Sequence, residues 1–229
     1  MKISGLQKLT LLDYPGKTAA TVFIAGCNLR CPFCHNSRLV EERDYTLIPE
    51  EELMAYLKKR VGLLDGVCVT GGEPLASEGT LEFLGRIKAL GYEVKLDTNG
   101  TFPERLEEVL KSGFVDYVAM DIKNIPEKYP ETVGVKGFDV SGVLRSVELL
   151  KSSGVSHEFR TTLSHPLHTE DDVEGMARWL GENESYYLQK FVDSGEVLEE
   201  GLSALPDEVM QNCLKRASKY VRMAQLRGM

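Results

Sequence analysis

The sequence predicts an α/β protein on a parallel sheet, read as a partial (β/α)6 TIM-like barrel in a single domain of residues 1–229. Three observations carry this reading. From Thr18 onward, short β-rich runs alternate with amphipathic helical stretches, the pattern that produces βαβ units. The barrel part shows six such strand runs, too few for a complete eight-stranded barrel. The polar motifs fall at the C-terminal ends of those runs, where parallel α/β folds gather their ligands. Alternation by itself leaves a doubly wound open sheet as the other arrangement.

Residues 5–12 partly alternate and predict an edge strand before the turn Asp13-Tyr14-Pro15-Gly16, so 1–17 precede a barrel at 18–229. Strands are expected at 19–25, 66–70, 92–97, 115–121, 156–162 and 186–191. Helices are expected at 49–61, 78–90, 103–112, 141–153, 170–181 and, last, 206–225. Pro49 with Glu50, Glu51 and Glu52 suits a helix start, and Thr169 can cap a helix opening on Glu170, Asp171 and Asp172. Gly62, Gly91, Gly113 and Gly154 stand where helices should stop. Gly16-Lys17-Thr18 is not a phosphate-binding loop: position 11 is Leu where that pattern needs glycine, and a strand follows where a helix should.

Hydrophobic content of 42% and charged content of 27% are ordinary for a globular chain. The formal charge of −8, with no Lys/Arg block, argues against nucleic-acid partners. No apolar run approaches the ~20 residues of a membrane helix, and the polar start Met1–Lys8 does not resemble a secretory signal. A cytoplasmic protein is expected. Of five cysteines, three are clustered, which points to ligation and not a disulfide framework. Cys68, in an apolar strand run, and Cys213, in a helical pattern, read as small buried hydrophobes.

Cys27, Cys31 and Cys34 follow directly on the strand run Thr21–Gly26. Gaps that short bring the three sulfurs toward one metal centre at a strand's C-terminal end. No fourth cysteine is near, so an iron–sulfur cubane held here would keep one iron without a protein thiolate. Zinc on Cys27, Cys31, Cys34 and His35 is the alternative, although adjacent ligands strain a tetrahedral site. His157, His165 and His168 suggest a second metal, against which Pro166 breaks the element and the spacing is not helical. Thr70-Gly71-Gly72-Glu73-Pro74 combines glycines that let backbone approach a ligand with a carboxylate able to accept from an ammonium; it is also an ordinary strand-to-helix turn. Asp97 and Asp121, each at a strand end, would need a cation or shared proton if side by side. Lys123 and Arg160 either face the ligand or point to solvent.

The cysteine stretch, with Phe33 just before the third cysteine, resembles the signature of the radical S-adenosylmethionine superfamily. His35-Asn36 brings it close to the activases of glycyl radical enzymes, above all the type that activates anaerobic ribonucleoside-triphosphate reductase and is related to pyruvate formate-lyase activating enzyme. The resemblance runs over nearly the whole chain and implies the partial barrel. It implies a 4Fe–4S cluster on Cys27, Cys31 and Cys34, and S-adenosylmethionine chelated at the open iron beside Phe33 and His35. Gly71, Gly72 and Glu73 would hold the cofactor's amino group, and Arg160 its ribose or carboxylate, with Lys123 nearby. Asp97, Thr98, Asp121 and the Ala119 carbonyl would hold a monovalent cation. Gln189 and Phe191 fit the reductase-activator subgroup, since pyruvate formate-lyase activators carry a histidine about there. Asp13-Tyr14-Pro15-Gly16 departs from the Asp-Gly-Pro-Gly of many activases.

The implied chemistry is cofactor-borne, with no catalytic acid or base. One electron, from a flavodoxin or ferredoxin-type donor, cleaves S-adenosylmethionine to methionine and a 5′-deoxyadenosyl radical. That radical takes hydrogen from a backbone glycine of a partner enzyme. A radical enzyme acting on a small molecule and a non-catalytic zinc module are the alternatives. Only Cys68 and Cys213 remain, far apart, so no auxiliary cluster is expected.

Overall fold

A computed structural model describes residues 1–40, 46–193, 195 and 197–228. Strand β1 (Ile3–Thr10) runs antiparallel to β2 (Ala19–Ile24) and forms one edge of the sheet. From β2 the sheet continues in parallel through β3 (Gly66–Gly71), β4 (Glu93–Thr98), β5 (Tyr117–Asp121), β6 (Ser156–His165) and β7 (Ser185–Lys190). The two-residue β8 (Ser203–Ala204) pairs antiparallel with the end of β6, and β9 (Met223–Arg227) pairs parallel with β7.

This strand order decides between the two arrangements that alternation left open. Each crossover advances by one strand in the same direction, so the right-handed connections lay their helices on one side and the sheet curls. A doubly wound sheet would reverse its strand order at a switch point. β1 and β9 are the two ends of the sheet order and do not pair, which leaves the barrel open.

The helices α2 (Glu50–Lys58), α3 (Thr80–Lys88), α4 (Pro103–Ser112), α6 (Ser141–Ser153) and α7 (Glu170–Leu180) stand where the periodicity placed them. Gly113 and Gly154 close α4 and α6 at φ of 71° and 72°, a conformation that favours glycine. Thr169 caps α7 in a reciprocal box: Asp172 N–H donates to its hydroxyl at 3.2 Å, and its own N–H donates to Asp172 at 2.9 Å. The short helices α1 (Ser37–Val40) and α5 (Tyr129–Thr132) carry too few residues to show a period.

The chain's end differs from expectation. In place of a helix over 206–225, α8 (Asp207–Ala217) stops and β9 adds a seventh parallel strand. Met223, Ala224, Gln225, Leu226 and Arg227 are all good helix formers, so local propensity conceals a strand that tertiary contacts impose. The decisive contact is a two-point ion pair, Arg227 Nη1 and Nη2 to the Glu158 carboxylate at 2.7 Å each, with the guanidinium 3.5 Å from the Tyr187 ring centroid.

Strand alternation sorts the side chains. On β4, Val94 and Leu96 are fully buried in the core with Phe83 and Ile87 of α3. The residues that alternate with them, Lys95 and Asp97, ion-pair with each other on the other face, inside the barrel. Among the described residues no helix is long and apolar enough to cross a membrane.

Glu158 is 1% exposed, and among the described residues its carboxylate has, besides Arg227, only the Tyr117 hydroxyl, at 2.9 Å. Arg227→Ala strands that carboxylate and should cost about 3–5 kcal/mol of stability in urea unfolding. A loss below about 1 kcal/mol, the range of an exposed pair, would contradict this account of β9.

Candidate active site

The loop after β2 is folded back on its own backbone. Gly26 N–H donates to Leu39 O at 2.9 Å, Arg30 N–H to Val133 O at 2.9 Å, and Cys34 N–H to Cys31 O at 3.0 Å. This pins Cys27, Cys31 and Cys34, all free thiols, along one wall of a cleft of about 230 Å³ at the C-terminal strand ends. Burial pushes the Cys27 thiol up to about 12 and Cys31 up to about 11, and it raises Cys34 as well. Such thiols ionise only where a cation offsets the loss of water, which suits metal ligation.

Among the described residues, no three His, Cys, Asp or Glu side chains are gathered tightly enough for a single metal ion. This corrects both the expected convergence on one point and the zinc alternative. A 4Fe–4S cluster would take each thiolate on a different iron. The His35 ring lies stacked on Phe191, centroids 5.4 Å apart and planes 25° apart. The second metal reading also fails. His157 Nε2 sits 2.7 Å from Glu184, His168 is buried with Nε2 2.7 Å from the Lys123 carbonyl, and His165 is exposed.

At the end of β3, both glycines line the cleft, and neighbouring backbone requires them. A Cβ on Gly71, whose φ is +121°, would lie 2.3 Å from Ile24 O; one on Gly72 would lie 2.0 Å from Gly26 O. The contact is sealed by Gly72 N–H to Ile24 O and Glu73 N–H to Gly26 O, each 2.8 Å. Glu73 departs from the role expected of it. It is fully buried and does not line the cleft; its carboxylate accepts from Leu75 N–H (2.9 Å), Thr98 O–H (2.9 Å) and Asn99 N–H (2.6 Å). Burial raises its pKa to about 7, against the pull of those bonds. Thr98 therefore aims its hydroxyl at Glu73 and away from Asp97, and the fully buried Ala119 does not line the cleft.

The opposite wall is a charge network. Asp97 accepts from Thr70 Oγ1 at 3.0 Å and Arg160 Nη1 at 3.3 Å, and ion-pairs with Lys95. Asp121 accepts from Arg160 Nε at 2.9 Å and Lys123 Nζ at 3.1 Å. Burial works against both carboxylates, yet Arg160 with Lys95 holds Asp97 below the usual range, and Arg160 with Lys123 holds Asp121 down to about 2. The two acids thus find their offsetting charge within the chain. Lys123 and Arg160 face the cleft, not solvent, and Gln189 joins its lining beside Thr162. Phe33 lies under the Lys123 ammonium at 5.7 Å and edge-on to His168.

Several cleft residues were not anticipated. Asn36 donates to the Gly71 carbonyl at 3.2 Å, and Asn99 reaches Cys27 Sγ at 3.8 Å; only packing reveals these. Lys95 was detectable, since Glu93, Lys95 and Asp97 alternate with apolar residues along one strand.

Known proteins resemble this chain in sequence and in fold. The Radical SAM superfamily profile matches residues 21–180, and the chain belongs to that superfamily. It is 33% identical over 228 residues to a Methanocaldococcus jannaschii protein provisionally described as a glycyl-radical enzyme activating enzyme, covering 96% of this chain and 92% of that one. It is 32% identical to the pyruvate formate-lyase-activating enzyme of Clostridium pasteurianum, over 64% of this chain and 63% of that enzyme. A GTP 3′,8-cyclase of Alkaliphilus oremlandii is 30% identical over 65% of this chain, which spans 47% of it. A radical SAM methyltransferase from Sphaerobacter thermophilus shares the fold, with a TM-score of 0.74 at 14% identity over 96% of this chain and 68% of that one. Superfamily membership implies a 4Fe–4S cluster and S-adenosylmethionine, and three thiols that need cationic compensation, one buried and two half-buried, fit such a cluster.

Glu73→Gln gives the amide nitrogen no donor-free position, because each of its oxygens now accepts from an N–H. Stability in urea should fall by about 1–3 kcal/mol, and an unchanged midpoint would contradict the assigned bonds. Gly72→Ala must displace Gly26 and Cys27, so iron retained after anaerobic reconstitution should drop sharply. Gly79→Ala, with nothing within 4 Å of its added Cβ, should keep its iron. Equal iron in both variants would sink the packing argument.

Proposed function

We propose that this protein is a cytoplasmic activase that installs a glycyl radical on a partner enzyme, with anaerobic ribonucleoside-triphosphate reductase the foremost candidate. The observation that carries this reading is the match to a glycyl-radical enzyme activating enzyme over 96% of this chain and 92% of that relative. When bound, the cluster and S-adenosylmethionine supply one-electron carbon–sulfur cleavage and hydrogen-atom abstraction.

The chain's own residues bind, orient and shelter. Cys27, Cys31 and Cys34 hold the cluster as thiolates. The backbone at Gly71 and Gly72, braced by Asn36, receives the cofactor's amino group, while Glu73 acts at one remove by fixing Thr98 and Asn99. Arg160 and Lys123 present positive charge to the cofactor's carboxylate and ribose. Phe33, His35 and Gln189 wall the cleft and exclude water, which matters where a reactive carbon centre takes whatever hydrogen is nearest. A flavodoxin or ferredoxin-type protein supplies the electron.

The GTP 3′,8-cyclase match supports a second reading, a small-molecule substrate, but it spans less than half of that enzyme. Adding the reduced, reconstituted protein and S-adenosylmethionine to anaerobic ribonucleotide reductase should produce a glycyl radical signal by electron paramagnetic resonance. Cofactor cleavage with no such signal on any glycyl radical enzyme offered would favour the small-molecule reading. Cys31→Ala should lose both cluster and cleavage, whereas Cys213→Ala, buried in α8 away from the cleft, should keep them. Cleavage by Cys31→Ala would overturn the cluster assignment.

A further inference from the structure

The residues that the resemblance assigns to a monovalent cation do not fit one here. The Thr98 hydroxyl is engaged by Glu73, and Ala119 does not line the cleft. The Asp97 oxygens are taken by Lys95, Thr70 and Arg160, and those of Asp121 by Arg160 and Lys123. A metal ion would have to displace ammonium or guanidinium groups already seated on both carboxylates.

Lys95 is the unusual member of this group. Its side chain is 1% exposed, one layer below the cleft floor, and among the described residues its only charged partner is Asp97. Its other neighbour is the Cys68 thiol, 3.8 Å away. A buried ammonium carries a desolvation penalty that only a close opposite charge offsets, so Lys95 and Asp97 stand as a unit. Arg160 is then free to span Asp97 and Asp121 through Nη1 and Nε, leaving Nη2 without a partner among the described residues. Three cations (Lys95, Lys123, Arg160) against two carboxylates leave one positive charge within this network for an anionic ligand group.

We propose that Lys95 is a built-in cation: its tethered ammonium takes the place of a bound Na⁺ or K⁺ beneath the carboxylate of S-adenosylmethionine, and cofactor binding needs no added monovalent metal. Lys95 is a positioning residue, acting through Asp97 and Arg160. The proposal rests on reading the cleft as the S-adenosylmethionine site.

The test is equilibrium dialysis of S-adenosylmethionine against the anaerobic, cluster-loaded protein without reductant, in KCl or in tetramethylammonium chloride of equal ionic strength. The wild-type dissociation constant should agree between the two salts within about twofold. Lys95→Met should bind about tenfold more weakly in tetramethylammonium and regain affinity in K⁺, a rescue that a purely structural lysine would not show. Wild-type binding that requires K⁺ would overturn the proposal alone, as would Lys95→Met binding that is as tight as wild type in both salts. Absence of binding in every salt would overturn the reading of the cleft and this proposal with it.

Discussion

Two carboxylates and three cations share the barrel interior at the C-terminal ends of β4, β5 and β6, and the cleft keeps its shape only while all five are satisfied together. Asp97, Arg160 and Asp121 come from three adjacent strands, so their ion pairs fix strand ends that backbone bonding alone would leave free to splay. Removing either carboxylate leaves buried cations uncompensated, an error far costlier than the pair is beneficial. The arrangement also sets the cleft's electrostatics: the acids remain ionised, and Lys123 and Arg160 line the cleft.

The other wall depends on backbone contact. Gly71 and Gly72 bring the end of β3 against Ile24 and Gly26, and that approach fixes where the cysteine loop leaves β2. Glu73 continues the same seam by tying the turn after β3 to Thr98 and Asn99 at the end of β4. A glycine pair and a buried glutamate thereby act on the cysteine loop through geometry. The cysteines in turn are held high in pKa by burial, so ligation of a cluster by them would depend on the charge the cluster itself supplies.

Much of this was legible in the sequence because it is periodic or locally spaced. The βα alternation, the caps at Thr169 and Gly113, and the cysteine triplet each lie within a few consecutive residues. What escaped depends on contacts between distant segments. β9 is spelled in helix-forming residues and becomes a strand because Arg227 meets Glu158, 69 positions away. The direction of the Glu73 carboxylate is set by the Thr98 hydroxyl and the Asn99 N–H, donors 25 and 26 residues on, which no motif encodes. Arg160 and Lys123 were ambiguous as strand-end charges until the sheet's curvature turned them inward toward acids of neighbouring strands.

The central claim is that three cysteines on one wall and a charged strand-end wall opposite together form a radical S-adenosylmethionine site. Anaerobic reconstitution with iron and sulfide, then dithionite and S-adenosylmethionine, tests it most directly. The account predicts about four irons per chain and formation of 5′-deoxyadenosine with methionine. Zinc bound near one per chain, with no cofactor cleavage after full reconstitution, would contradict it.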